Sequence, residues 1–161
     1  MIAPARVAAY EILRRVSSGT SDLPAAVAAI RDRLPDERDR ALATGIATGT
    51  ERWRAALDHL IAHFTRRSTS RLDPEVLDVL RLSTYQLVHL TRVPASAVVD
   101  DAVNLVKRAG KRSAAGLVNA ALRTLSRQRR DLPLPPRPKD GASRDDMLAY
   151  LSVTLSHPHD S

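Results

Sequence analysis

Wherever apolar residues recur regularly in this chain they do so at helical spacing, and no window shows the strict alternation of a half-buried strand. Ala9, Ile12, Leu13 and Val16 form one stripe of a first helix that stops near Ser18-Gly19. Asp22 is placed to cap a second helix from Leu23 to about Arg33. Pro35-Asp36 opens a third, with Glu37 and Asp39 in its first turn, where carboxylates offset the exposed N–H groups. Its pattern runs through Gly45 and Gly49 to Trp53, Ala56, Leu57, Leu60 and Phe64, with a bend expected near Gly49. The two glycines, four apart, read as a packing device that admits a neighbouring backbone.

Asp73-Pro74 combines a capping side chain with proline at the first helical position, a strong start signal. The helix behind it, from Val76 to Leu90, is apolar on more than one face and should be the central buried helix. Pro94 breaks it. Val99, Ala102, Val103 and Val106 mark the next helix, closed by Gly110, which best tolerates a left-handed C-terminal cap. Val118, Ala121, Leu122 and Leu125 mark the last, with Arg123, Arg127 and Arg130 at i, i+4 and i+7 on its outer side. The expected fold class is all-α, a bundle of about six to seven helices. Residues 1–130 read as one helical unit and residues 131–142 as a proline-rich linker. Residues 143–161 begin with a short helix, opened by Ser143 and Asp146, that reads as the start of a connection to a domain outside this sequence.

Phe, Trp and Tyr make up only 3% of the 161 residues, so the core must be aliphatic. With no cysteine the chain has no disulfide, no thiolate metal site and no cysteine nucleophile. The first sixteen residues carry charges inside their apolar pattern, unlike a secretion signal. No stretch approaches the apolar length needed to span a bilayer. The expectation is a soluble, cytoplasmic protein with no membrane partner.

Charge is distributed unevenly. From Ala102 to Arg130 there is no acidic residue, yet this segment holds Lys107, Arg108, Lys111, Arg112, Arg123, Arg127, Arg129 and Arg130. The remaining 17 Lys and Arg nearly balance the chain's 18 Asp and Glu, so the net charge of +7 resides in this one segment. A single-sign field confined in this way suits a polyanion.

Catalytic and metal patterns fail on inspection. His59 and His63 are four apart, but no third ligand lies near them and Asp58 does not complete the zinc-protease pattern. Gly110-Lys111 lacks the upstream glycine of a phosphate loop, since Leu105 stands there. Asp100 and Asp101 are adjacent on a helix and point about 100° apart. No catalytic residue, metal site or cofactor site is assigned to these residues.

Several strings occur together in a specific order: Leu80–Leu87 (LRLSTYQL), Arg92-Val93-Pro94, Val98–Lys107 (VVDDAVNLVK) and Gly116–Arg123 (GLVNAALR). Earlier strings agree: Asp39–Thr44 (DRALAT), Gly49–Arg54 (GTERWR) and Leu57-Asp58. Together, over roughly residues 3–130, they closely resemble the NusB-like RNA-binding fold. Tyr85-Gln86-Leu87, Arg92-Val93-Pro94 and Asn119–Arg123 are more similar to the N-terminal domain of the Sun/Fmu family, the ribosomal RNA small-subunit methyltransferase B type, than to free-standing NusB proteins. Ser156-His157-Pro158 resembles the junction that leads into that family's catalytic region. The chain departs from the family at Asp100-Asp101, where Asn-Glu is usual, at Ser83-Thr84, where a glycine precedes the tyrosine, and in having few basic neighbours of Arg6 before Arg14-Arg15.

The resemblance implies a parent activity of methyl transfer from S-adenosylmethionine to cytosine C5 of small-subunit ribosomal RNA. It also implies a cysteine-bearing catalytic domain in cis that holds this cofactor. The fragment itself would be non-catalytic and would hold RNA near that domain. The expected RNA contacts are Arg6 on the first helix, Lys107, Arg108, Lys111 and Arg112 around Gly110, and Arg123 and Arg127 on the last helix. Arg52 and Arg54 are weaker candidates for RNA contact and read more readily as solvated partners for nearby acids, and stacking platforms look scarce. The alternatives are a free-standing NusB-type transcription antitermination factor and a helical protein–protein adaptor, the latter to be marked by tight homodimerisation; a weak homodimer is a further expected partner.

Overall fold

The computed structural model describes residues 1–90, 92–129 and 131–132. The linker and the short helix expected within 131–161 lie, apart from Asp131 and Leu132, outside the described residues, as does Arg130. Among the described residues there are seven α-helices and no strand: α1 (Pro4–Ser17), α2 (Leu23–Arg31), α3 (Glu37–Arg52), α4 (Arg54–Thr65), α5 (Pro74–His89), α6 (Ala95–Arg108) and α7 (Ala115–Arg127). Single 3-10 turns at Thr69–Arg71 and Arg112–Ala114 precede α5 and α7. The all-α expectation holds. No helix among the described residues is long and apolar enough to cross a membrane.

Helix ends follow local chemistry. Asp22 accepts from the Ala25 N–H at 2.9 Å, and Asp36 from the Arg38 N–H at 2.7 Å, each satisfying a donor that the first turn leaves free. Gly110 adopts φ +79°, and the N–H groups of Gly110 and Lys111 close back on the carbonyls of Lys107 and Val106 at 3.1 and 2.8 Å. This paired closure needs a left-handed residue, which glycine provides without a Cβ clash. Asp73 makes no side-chain cap; its carboxylate reaches Lys111 instead, and Pro74 alone marks the start of α5.

The long third helix is interrupted at Trp53, whose φ of −101° and ψ of 17° leave the helical region and separate α3 from α4. The break lies four residues beyond the expected bend. Gly49 does permit a close approach, but by the Tyr85 ring rather than by a backbone, whereas Gly45 faces open space.

Helix α5 is central and packs on α1, α3, α4, α6 and α7. The core is aliphatic: Ile12, Leu13, Ile46, Leu60, Leu80, Leu82, Leu87, Leu105 and Leu122 are each less than 2% exposed. Its apolar faces leave room for charges that periodicity does not reveal. Asp78, only 1% exposed, takes hydrogen bonds from Arg14 at 2.8 Å and from the Ser17 hydroxyl at 2.9 Å. Arg81 makes a two-pronged pair with Asp58 at 2.7 and 2.9 Å and lies 3.6 Å from Asp78. Burial disfavours the charge on Arg81, but Asp58 and Asp78 outweigh it and hold the guanidinium protonated above its ordinary range. Arg14 is raised in the same way: the cost of burial is overcome by Asp78, with Glu75 assisting.

Candidate nucleic-acid interface

The acid-free segment folds into a hairpin. Helix α6 ends at Arg108, the chain reverses at Gly110, and α7 returns so that Arg123 comes within 3.6 Å of Asp100. Thirteen residues make α7 about 20 Å long. The hairpin therefore separates the expected contacts into two groups, with Lys107, Arg108, Lys111 and Arg112 at the turn and Arg123 and Arg127 toward the other end.

Their surroundings differ. Lys107, Arg108 and Arg112 are exposed and face no carboxylate at ion-pair distance among the described residues, as is Arg127 on α7. Lys111 is half-buried and shared between Asp73 at 3.4 Å and Glu75 at 3.8 Å, so part of its field is spoken for. Arg123 donates to the Asn119 side chain at 2.8 Å besides its contact with Asp100. Arg127 is held by a 3.3 Å hydrogen bond from Nε to the Arg123 carbonyl. Arg108 turns toward α1, where it borders a groove lined by Val7, Tyr10 and Glu11.

Arg6 does not belong to this surface. It is 8% exposed, donates to Gln86 at 2.8 Å and to Asp101 at 2.7 Å, and joins α1 to α5 and α6 in the interior. Its guanidinium is thereby committed to the interior and, contrary to expectation, is not presented to RNA.

A different set of residues escaped the sequence reading. Trp53 stacks on His89, with ring centroids 5.5 Å apart, and His89 stacks on Tyr85 at 5.0 Å. The Arg52 guanidinium lies 4.9 Å from the centre of the Trp53 ring. In sequence Trp53 falls in register with Ala56, Leu57 and Leu60 and so resembles a core position; only the break between α3 and α4 turns it outward. Arg54 lies 3.9 Å from Glu51, the partnership with an acid that had been expected of it. His63 packs edge-on against Phe64, and no group of three or more His, Cys, Asp or Glu among the described residues could hold a metal ion.

The NusB family model matches residues 3–127 of this chain. The ribosomal RNA small subunit methyltransferase B of Pseudomonas putida is 37% identical over 127 residues, covering 79% of this chain but 29% of that protein. The transcription antitermination protein NusB of Coxiella burnetii is 42% identical over 81 residues, which is 50% of this chain and 59% of that one. The solved structure of T. maritima NusB superposes with a TM-score of 0.70 at 25% identity, covering 80% of this chain and 94% of that one. The chain thus spans less than a third of the length of the methyltransferase it matches.

Proposed function

This chain belongs to the NusB family, and from that premise we propose that it is the RNA-binding, non-catalytic part of a small-subunit ribosomal RNA cytosine-C5 methyltransferase. The observation that carries the reading is the match over 79% of this chain to a methyltransferase of which it covers 29%, in that protein's N-terminal part. The basic hairpin supplies the physical means, since exposed Lys and Arg on neighbouring turns neutralise phosphates irrespective of base sequence. Lys107, Arg108, Arg112 and Arg127 are the principal contacts, because none of them is held at ion-pair distance by a carboxylate among the described residues. Lys111 and Arg123 contribute less, each being shared with acids.

The methyl donor S-adenosylmethionine would be held by a separate catalytic domain. With no cysteine and no glycine-rich loop, these 161 residues offer neither the nucleophile that attacks the pyrimidine nor a cradle for the donor. Their part is to keep ribosomal RNA at a high local concentration beside that domain. A second reading, a free-standing antitermination factor, is favoured by the Coxiella burnetii match.

The test is a titration of the chain with labelled small-subunit ribosomal RNA hairpins and a scrambled control at two salt concentrations. About five neutralised phosphates give a log–log salt slope of roughly −3.5 for single strands. Binding stronger than to the control, with such a slope, supports the reading. Absence of binding at low salt would make the basic hairpin a docking face for protein.

A further inference from the structure

Trp53 is the chain's single tryptophan, and it lies outside the core. Half-buried at the junction of α3 and α4, it is not among the hydrophobic side chains that pack on the main cluster. Its neighbours are flat and polar: the His89 imidazole lies nearly parallel to it, with planes 9° apart, and the Arg52 guanidinium lies over the ring. His89 rests in turn on Tyr85 at an interplanar angle of 26°. Tyr85 is lodged so tightly against Gly49 that a Cβ there would overlap its ring. The ladder is therefore braced on the backbone of α3 at Tyr85 and reaches the surface at Trp53 and the exposed Arg52.

A pre-oriented indole beside a guanidinium suits a planar, electron-rich ring. Unpaired nucleobases stack on both groups, and a platform already held in place loses little freedom when one binds. Cations for the adjoining phosphates are at hand: exposed Arg54 follows Trp53, and exposed Arg92 lies three residues beyond His89. Only a short connection joins α5 to α6, so this end of α5 adjoins the start of α6, the half of that helix where Asp100 meets Arg123.

We propose that Arg52 and Trp53 form a stacking site for one unpaired base of the bound RNA, with His89 and Tyr85 as positioning residues. The proposal rests on the RNA-binding reading above. In the test, the 161-residue chain is titrated with a single-stranded RNA dodecamer while the fluorescence of its single tryptophan is followed, with heparin as a polyanion lacking bases. Quenching by RNA but not by heparin is expected. Trp53→Ala should weaken RNA binding about tenfold with its salt slope unchanged, while Trp53→Phe stays within about threefold of the parent. If Trp53→Ala does not fold, the quenching and the Phe variant decide the matter. Equal RNA affinity in Trp53→Ala, or RNA binding without quenching, overturns the stacking site and leaves RNA binding intact. Failure of the parent chain to bind any RNA overturns both. Loss of self-association in Trp53→Ala at unchanged RNA affinity would make this a protein contact and overturn the proposal.

Discussion

Arg6 and Asp101, 95 residues apart in sequence, meet in the interior through a 2.7 Å charged hydrogen bond, with side chains 10% and 11% exposed. Asp101 also accepts the Ala3 N–H at 3.1 Å, so one carboxylate secures both the start of α1 and the first arginine on it. Gln86 completes the junction, accepting from Arg6 and donating to the Leu82 carbonyl at 2.9 Å. The departure at Asp101 that the sequence comparison singled out is thus the partner of the arginine that the same reading assigned to RNA.

Removing one member of this pair leaves the other charged and buried. Arg6→Ala should lower unfolding stability by about 3 kcal/mol in urea denaturation. RNA affinity of the folded fraction should stay unchanged. A variant of parental stability with weakened RNA binding would return Arg6 to the interface.

Two glycines on α3 should respond with opposite signs. Gly49→Ala would drive a methyl into the Tyr85 ring, costing about 1–3 kcal/mol as an overpacked site. Gly45→Ala meets open space on the same helix and should stabilise by up to about 1 kcal/mol. Thermal melts of the two variants beside the parent measure both, and a fall in Tm for Gly45→Ala would contradict the exposed placement.

Alkaline pH should weaken the fold through Tyr10. Partial burial against the hydrophobic core raises its pKa above the ordinary 10.0, an effect partly opposed by the neighbouring Arg14 charge. The folded state then holds this proton more tightly than the unfolded chain does. The resulting stability is fully present below pH 10 and is lost as pH rises through the folded value. Tyr10→Phe should flatten the decline, read as urea midpoints from pH 8 upward; an unchanged slope would place its cause elsewhere.

Charge reversal should grade the basic hairpin. Arg112→Glu and Lys107→Glu should each weaken RNA binding uniformly across sequences and reduce the magnitude of the salt slope. Lys111→Glu should also lower stability, because it sets a third carboxylate beside Asp73 and Glu75. Lys111→Ala, which only removes a partly exposed pair, should cost no more than about 1 kcal/mol. Equal RNA affinity across the reversal series would remove the hairpin from the interface.

The sequence alone determined the helical class, the central place of α5, the cap at Asp22, the reversal at Gly110 and the family. These depend on neighbours within a turn or two, or on strings read in order, and both survive in one dimension. Tertiary structure decided which charges face solvent. Arg6 and Arg127 are both arginines on amphipathic helices, and only the arrival of Asp101 and Gln86 from distant segments draws the first inward. Trp53 likewise sits at the spacing of a core residue, yet a break in the helix turns its ring onto His89, thirty-six residues away. Long-range pairing sets burial, and burial determines whether a charged or aromatic side chain serves the fold or is left for a partner.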